Sequence, residues 1–314
     1  MKIAVTGALG HIGSALIRAL PASLPGAEVV LVDNLSTQRY CSLFDLPDGG
    51  AYRFVEADIV RADLEPVLAG ADAVIHLAAI TDAAGSFEIR DRVEEVNLTG
   101  GRRVAEACAR VGAALLFPST TSVYGTQREL VDEDCAPEEL KPQSPYAESK
   151  LRAEQMLVEL GALVGLRWVT CRFGTIFGTS PGMRFHTAVN KFCWQAVMGQ
   201  PLTVWRTAMD QKRPYLYLGD AVRAVTFILT ERAFDGRVYN VVTDNASVRQ
   251  LVDYIRPHVP DVTVEYVDTP IMNQLSYEVS NARFRKLGFE VSGTLEAGIG
   301  ETIRLFGGLA TRGR

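Results

Sequence analysis

An α/β fold organised on a doubly wound parallel sheet is what this sequence predicts, and three features predict it. The first is the run Lys2-Ile3-Ala4-Val5-Thr6, followed by glycines spaced Gly7-x-x-Gly10-x-x-Gly13 and by an apolar-periodic stretch from Ser14 to Leu20. These read as a buried strand, a tight loop and a helix. The second is another apolar run, Glu28 to Asp33, which ends on a carboxylate about 20 residues beyond the last glycine. The third is the recurrence of short, nearly all-apolar runs between helical patterns, as strands covered on both faces require.

The glycine loop carries its own chemistry. Gly7 permits the turn, Gly10 lets backbone approach a pyrophosphate, and Gly13 lets helix and strand pack, so that the helix N-terminus faces the anion. This makes the fold Rossmann-type and Gly7, Gly10, His11, Ile12 and Gly13 a cofactor loop, with His11 read as a spacer and not as a catalyst. Asp33 would accept from a ribose diol and repel a 2′-phosphate, which selects NAD over NADP. A glycine-rich turn without a ligand is the alternative, but it leaves the coincidence of strand, helix and acid unexplained.

Composition bounds the remaining possibilities. The chain has 314 residues, 47% of them hydrophobic, enough for a substantial core. With 22% charged residues and a formal net charge of -5 there is no basic surface signal for nucleic acid. The first strand begins almost at the initiator methionine and no apolar span is long enough for a bilayer, so the expected compartment is the cytoplasm, without membrane attachment. Cys41, Cys108, Cys135, Cys171 and Cys193 lack paired metal spacing and read as buried thiols, with no metal site.

In chain order, Asn34 to Arg39 reads as a loop beside the adenosine end of the cofactor. A third strand, Tyr52 to Glu56, leads to Asp58 and Ile59; Asp58 meets an adenine or else caps a nearby helix. Ala73 to Ala79 is a fourth strand in which Leu77, Ala78 and Ala79 let backbone run beside the ligand, while His76 reads as a core histidine. Thr81 lies just past that strand's carboxyl end, where such sheets bind ligands. Phe87 to Arg110 is helical in pattern, interrupted by Asn97, whose burial calls for a hydrogen bond to neighbouring backbone. A fifth strand, Ala113 to Pro118, runs into the hydroxyl cluster Ser119-Thr120-Thr121-Ser122.

Pro142 to Lys150 opens the next helix. Ser144 is a suitable N-cap, Pro145 fits the first helical position, and Tyr146 and Lys150 fall one turn apart on one face. A tyrosine is a weak base at neutral pH, but a nearby ammonium, a helix N-terminus and a cationic nicotinamide all favour its phenolate. Tyr146 is therefore the candidate acid/base. A chance pairing of Tyr and Lys on an exposed helix is the bland alternative.

Taken together, the glycine triplet, Asp33, His76-Leu77-Ala78-Ala79, Thr120 ahead of Tyr124-Gly125, and Tyr146-x-x-x-Lys150 resemble the extended short-chain dehydrogenase/reductases. Pro142 to Lys150 is similar to the NAD-dependent nucleotide-sugar epimerases and dehydratases of the UDP-glucose 4-epimerase type. The resemblance runs nearly end to end. It implies that Tyr146 exchanges a proton with a sugar hydroxyl while NAD takes the hydride, that Lys150 bonds the nicotinamide ribose, and that Thr120 bonds the reacting oxygen. It also implies a homodimer through the helices near Arg92 to Arg110 and Tyr146 to Leu160.

For the second half the resemblance implies a smaller, interlocked C-terminal α/β substrate lobe: residues 1–172 and 219–243 bind the dinucleotide, and 173–218 and 244–314 bind the nucleotide sugar. The lobe is expected to contain a helix near Val189 to Met198 that places Asn190 among the substrate contacts. It also contains a strand from Pro201 to Trp205 and Arg213, the expected phosphate ligand. Thr121 and Thr175 complete the expected substrate contacts. Thr175 stands where relatives usually carry an asparagine, and Met272 to Ser276 offers no second phosphate arginine; Arg184, Lys191 or Arg206 could compensate.

A 4,6-dehydratase needs a carboxylic acid pair after the catalytic threonine, and Thr121 and Ser122 cannot serve. Epimerisation needs only Thr120, Tyr146, Lys150 and a retained NAD. A net dehydrogenase, reductase or decarboxylase would use the same groups, and a non-catalytic NAD sensor would have no need of an ionised phenol.

Overall fold

The computed structural model describes residues 1–125, 129–268 and 276–307. The first half runs β1 (Lys2–Thr6), α1 (His11–Ser23), β2 (Glu28–Asp33), β3 (Ala51–Glu56), α2 (Glu65–Leu68), β4 (Ala73–His76), α3 (Arg90–Val93), a π-helical stretch Glu94–Gly100, α4 (Gly101–Val111), β5 (Ala114–Thr120), β6 (Leu130–Val131), α5 (Pro145–Val164) and β7 (Trp168–Phe173). It continues through β8 (Thr175–Phe177), α6 (Ala188–Val197), β9 (Leu202–Trp205), β10 (Lys212–Tyr217), α7 (Leu218–Glu231), β11 (Val238–Val241), β12 (Asp244–Ser247), α8 (Val248–Ile255), β13 (Val264–Val267), β14 (Glu278–Val279), α9 (Ala282–Lys286) and α10 (Leu295–Phe306).

Seven strands form one parallel sheet in the order β11-β7-β5-β4-β1-β2-β3. Side-chain alternation explains why the inner runs are apolar throughout. Ile3, Val5, Val29 and Leu31 point into the cluster beneath α1 and α7, whereas Ala4, Val30, Val32 and Val74 point into the cluster beneath α4 and α5. Only the edge strand β3 has an alternating, largely exposed pattern. The chain leaves β1 for β2 on one side and returns to β4 on the other. That reversal puts a crevice at the carboxyl ends of β1 and β4, the general ligand position in open α/β sheets.

A second set of elements packs around Phe177, Phe192, Leu202, Leu251 and Ile299. Here β10 pairs in parallel with β8 and antiparallel with β12, and β9 pairs with β13. The two sets are interwoven. Phe284 and Phe289, which the sequence-derived boundaries place in the substrate lobe, join the cluster of α1 and α7, with Phe284 against Tyr239. Asp220, fully buried, accepts from Thr243 Oγ1 at 2.7 Å and Ser292 N at 2.8 Å, tying α7 to the last third of the chain.

Several elements differ from expectation for identifiable reasons. The helix expected over Phe87 to Arg110 starts only at Arg90 and then runs without interruption to Val111, widening from Glu94 to Gly100 into a π-helical stretch that contains Asn97. The Asn97 side chain accepts from Ile80 N at 2.8 Å and donates to Ile80 O at 2.9 Å and Ser149 Oγ at 3.1 Å, bracing the segment after β4 against α5. α1 continues through Pro21 to Ser23, beyond the end of its apolar period. The thiols are not all buried: Cys41 is exposed and Cys135 half-buried, and all five cysteines are free. Among the described residues no helix is long and apolar enough to cross a membrane.

Candidate functional site

A cleft of about 750 Å³ opens at the carboxyl ends of β1, β4 and β5 and extends along β8, α6 and β10. Its floor is the glycine loop. Gly7 has φ +67°, and a Cβ placed there would lie 2.5 Å from Ala78 N and 2.7 Å from Leu77 C, so only glycine lets the turn sit against the end of β4. A Cβ on Gly13 would run into the carbonyl oxygens of Gly7 and Ala8. Helix α1 then starts at Gly10 with no side-chain cap, leaving its first-turn amides to a ligand.

At the end of β2, Asp33 Oδ2 accepts from Leu9 N at 3.1 Å and Oδ1 from Leu35 N at 3.0 Å. Asn34 Nδ2 donates to Asp58 Oδ2 at 3.3 Å, while Asp58 Oδ1 accepts from Val60 N at 2.8 Å. Asp58 thus stabilises its own turn, since the next helix begins only at Glu65, and still lines the cleft beside Ile59. Arg39 is committed elsewhere, donating to Gly182 O at 2.8 Å.

Both histidines of this region serve packing. His76 Nδ1 meets Thr6 Oγ1 at 2.7 Å and its ring stacks on Phe117. Burial, helped by the Lys150 charge, pushes its pKa down to about 3. His11 Nε2 donates to Gly178 O at 3.0 Å, and burial lowers its pKa to about 4. The loop histidine therefore fastens the chain beyond β8 to the cofactor loop.

Thr120 ends β5, Tyr146 opens α5 and Lys150 follows one turn later. Ser144 caps α5, its Oγ accepting from Ala147 N at 3.2 Å, with Pro145 behind it. The Tyr146 side chain lines the cleft with Thr120, whose Oγ1 accepts from Ser122 N at 3.1 Å. Burial raises the Tyr146 pKa, opposed by the Thr120 hydroxyl and the charge of Arg184. Lys150, 4% exposed, donates from Nζ to Pro118 O at 2.9 Å and lies 4.5 Å from the centre of the Phe117 ring. Burial lowers its pKa to about 8, with Glu154 opposing. Next to Thr120 in the chain, Ser119 Oγ is buried without a hydrogen-bond partner among the described residues. An orphaned hydroxyl of this kind marks a place for a bound polar group.

Across the cleft stand Thr175, Arg184, His186, Lys191, Arg213 and Tyr277. Arg213 Nη2 donates to Gln211 Oε1 at 3.1 Å, with its guanidinium 5.5 Å from the centre of the Tyr277 ring. Arg184 Nη2 donates to Thr81 Oγ1. Thr121 lines the cleft, but its hydroxyl donates to Phe173 O at 3.3 Å. Of the three cations offered as replacements for the second arginine, Arg184 and Lys191 line the cleft. Arg206 instead pairs with Asp268 at 3.3 Å on the surface. Met272 to Leu275 lie outside the described residues.

Every site residue expected from the sequence lines this one cleft except Asn190. That expectation is corrected: Asn190 is fully buried behind the wall, with Oδ1 accepting from Gly178 N at 3.1 Å and Nδ2 donating to Arg184 O at 3.1 Å. Its task is to hold the loop after β8. Sequence reasoning also missed a network behind Lys150. Arg172 grips Glu154 through Nε at 3.1 Å and Nη2 at 2.7 Å and donates from Nη1 to Tyr124 Oη at 2.9 Å. Tyr124 in turn donates to Asn240 Oδ1 at 2.9 Å. These residues come from four distant segments, so no local spacing announces them.

The uncapped helix start, the turn that only glycine can make and the orphaned Ser119 hydroxyl all fit a dinucleotide. Residues 3–241 match the NAD-dependent epimerase/dehydratase family. The chain is 30% identical over 315 residues to a UDP-glucose 4-epimerase of Mycolicibacterium smegmatis, covering 98% of each chain. It is 29% identical to a trifunctional UDP-glucose 4,6-dehydratase/3,5-epimerase/reductase of Arabidopsis thaliana, covering 96% of this chain and 46% of that protein. The chain thus spans about half the length of that relative. The structure of Thermus thermophilus UDP-glucose 4-epimerase with NAD superposes with a TM-score of 0.83 at 27% identity, covering 98% and 99% of the two chains.

Proposed function

The chain belongs to the NAD-dependent epimerase/dehydratase family, and we propose that it is a nucleotide-sugar epimerase of the 4-epimerase type with Tyr146 as its acid/base. The cofactor is NAD. Glycine-loop backbone and the start of α1 would hold its diphosphate, Asp33 a ribose, and Lys150 the nicotinamide ribose. Held there, NAD would supply reversible hydride acceptance from a sugar carbon.

The observation that carries this reading is the gathering of Thr120, Tyr146 and Lys150 in the cleft closed by the glycine loop, with Lys150 one turn beyond Tyr146. Tyr146 accepts the proton of the sugar hydroxyl as that carbon is oxidised and gives it back on reduction. Thr120 bonds the same oxygen and fixes its distance from the phenol. Burial alone holds the phenol neutral, so the Thr120 hydroxyl, the charge of Arg184 and that of a cationic nicotinamide are what draw it toward the phenolate. Behind Thr120 stand Thr121 and Ser122, and neither supplies the carboxyl pair that dehydration requires. Arg213, together with Lys191, serves the nucleotide diphosphate.

Residues 1–172 and 219–243 form the cofactor half in this reading, supported by the seven strands of the parallel sheet. Residues 173–218 and 244–314 form the substrate half. We assign a homodimer through α4 and α5, supported by the exposure of Val158, Leu163 and Val164 at the C-terminal part of α5.

Tyr146→Phe tests the mechanism. The purified variant should retain NAD, measured after denaturation, while interconversion of C4 epimers falls by about 10²- to 10⁴-fold, the usual range for losing a positioned acid/base. Undiminished turnover would remove Tyr146 from the mechanism.

A further inference from the structure

Besides Arg39, Arg92 and Lys150, the cleft is lined by Arg184, Lys191 and Arg213, which fall into two groups, and the substrate's diphosphate accounts for only one of them. Lys191 and Arg213 line the cleft together with Phe192, Val204 and Trp205 on α6, β9 and β10. Apolar and aromatic walls of that kind suit a nucleobase with its diphosphate beside it. Arg184 belongs to the other end. Its guanidinium donates to Thr81 Oγ1, just beyond β4, and its charge acts on Tyr146.

Arg184 is also built in. Its carbonyl accepts from the buried Asn190 at 3.1 Å. The preceding residues are stitched to the glycine loop: Ser180 Oγ donates to His11 O at 2.9 Å, Gly182 N to Ser14 Oγ at 3.0 Å, and Arg39 to Gly182 O at 2.8 Å. A Cβ on Gly182 would lie 2.5 Å from Gly10 O and Leu9 O. The backbone that carries Arg184 is therefore held on both sides, which restricts where the guanidinium can reach. Among the described residues it makes no salt bridge; Asp82 is the carboxylate whose charge reaches it, while Arg39 adds positive charge. On the same cleft surface, Ser122 and Thr175 present hydroxyls that have no protein hydrogen-bond partner among the described residues.

A half-buried guanidinium that lines the cleft with Tyr146 and makes no salt bridge among the described residues gains no close ionic partner from a neutral sugar. A carboxylate satisfies it with two parallel N–H···O bonds. We propose that the sugar of the substrate carries a carboxylate, making it a nucleotide-linked uronic acid, and that Arg184 is the residue that recognises that group. This rests on the nucleotide-sugar reading above and deepens it. Thr175, in place of the usual asparagine, then offers a small hydroxyl beside the same group.

The test compares pairs of nucleotide sugars that differ only in the acid: UDP-glucuronate against UDP-glucose, and GDP-mannuronate against GDP-mannose. Dissociation constants are measured by calorimetry on NAD-loaded protein, for the wild type, Arg184→Gln and Arg184→Lys. In at least one pair the wild type should prefer the acid by about 10- to 100-fold, the range expected of a charge-assisted pair. Arg184→Gln should bring the ratio within that pair close to one, and Arg184→Lys, which keeps the charge without the fork, should fall between. No preference for the acid in either pair overturns the proposal. So does a ratio that Arg184→Gln leaves unchanged, because the guanidinium would then serve the shared diphosphate. Failure of the epimerase reading would look different: the acid preference would stand while no C4 epimer formed.

Discussion

Replacing Gly7 by alanine isolates the contact on which the cofactor loop depends, and Gly26 supplies the control. Both glycines have positive φ, +67° and +78°, but a Cβ on Gly26 would meet nothing within 4 Å. Gly26→Ala therefore costs only the left-handed backbone of an L-residue, roughly 1–2 kcal/mol. Gly7→Ala adds a collision of backbone with backbone. The new Cβ would stand 2.5 Å from Ala78 N, and reaching an ordinary separation means parting the ends of β1 and β4 by roughly 1 Å. Overpacking of that kind costs about 1–3 kcal/mol, so Gly7→Ala should lose about 2–5 kcal/mol altogether. Guanidinium denaturation midpoints measure both variants, and calorimetry measures NAD affinity. Gly26→Ala should bind NAD like the wild type. Gly7→Ala should bind it at least about tenfold more weakly, because the displaced loop carries the amides that hold the diphosphate. If Gly7→Ala binds NAD normally and loses no more stability than Gly26→Ala, the argument from close approach is wrong.

Glu154→Gln should cost about 3–5 kcal/mol, because it leaves the Arg172 guanidinium buried without its counter-charge. The apolar pair Glu154→Leu with Arg172→Met should recover most of that, and a loss below about 1 kcal/mol in denaturant for Glu154→Gln would show that the pair does not act as a unit. Asp33→Asn should raise the NADP-to-NAD affinity ratio by roughly tenfold or more, since a like charge no longer faces the 2′-phosphate; an unaltered ratio would mean that the acid does not read the ribose. Stability should fall on acidification through the histidines. His76 and His11 have folded-state pKa values of about 3 and about 4, below the ordinary value near 6.5. The unfolded chain binds more protons between those limits, so stability rises with pH across that window and is lost as pH falls from about 6.5 toward 4 for His11 and toward 3 for His76. His76→Gln should flatten the slope of unfolding midpoint against pH; an identical slope would exclude His76 as a contributor.

The cofactor half was legible because its signals are local. A strand, a turn that needs glycine, a helix start and an acid at the next strand's end lie within Lys2 to Asp33. Each is fixed by backbone geometry or by period. The Ser144 cap, with Tyr146 and Lys150 one turn apart, is equally local. Asn190 was misplaced for the opposite reason. A polar residue near a site looks the same in sequence whether it faces the ligand or holds the wall, and only burial separates the two.

By itself, then, the sequence determined the sheet, the glycine turn ahead of α1 and the placing of Tyr146 and Lys150 one turn apart on α5, because short-range sterics and hydrophobic period suffice for each. Tertiary structure decided what depends on segments distant in the chain. It set Thr120 against Tyr146, and placed Glu154, Arg172, Tyr124 and Asn240 in one buried network. It also pinned Ser180 and Gly182 to the glycine loop, so that Arg184 reaches Thr81. The contacts of Ser180, Gly182 and Arg184 join residues more than a hundred positions apart, and only the packing of the two halves brings them within hydrogen-bonding distance.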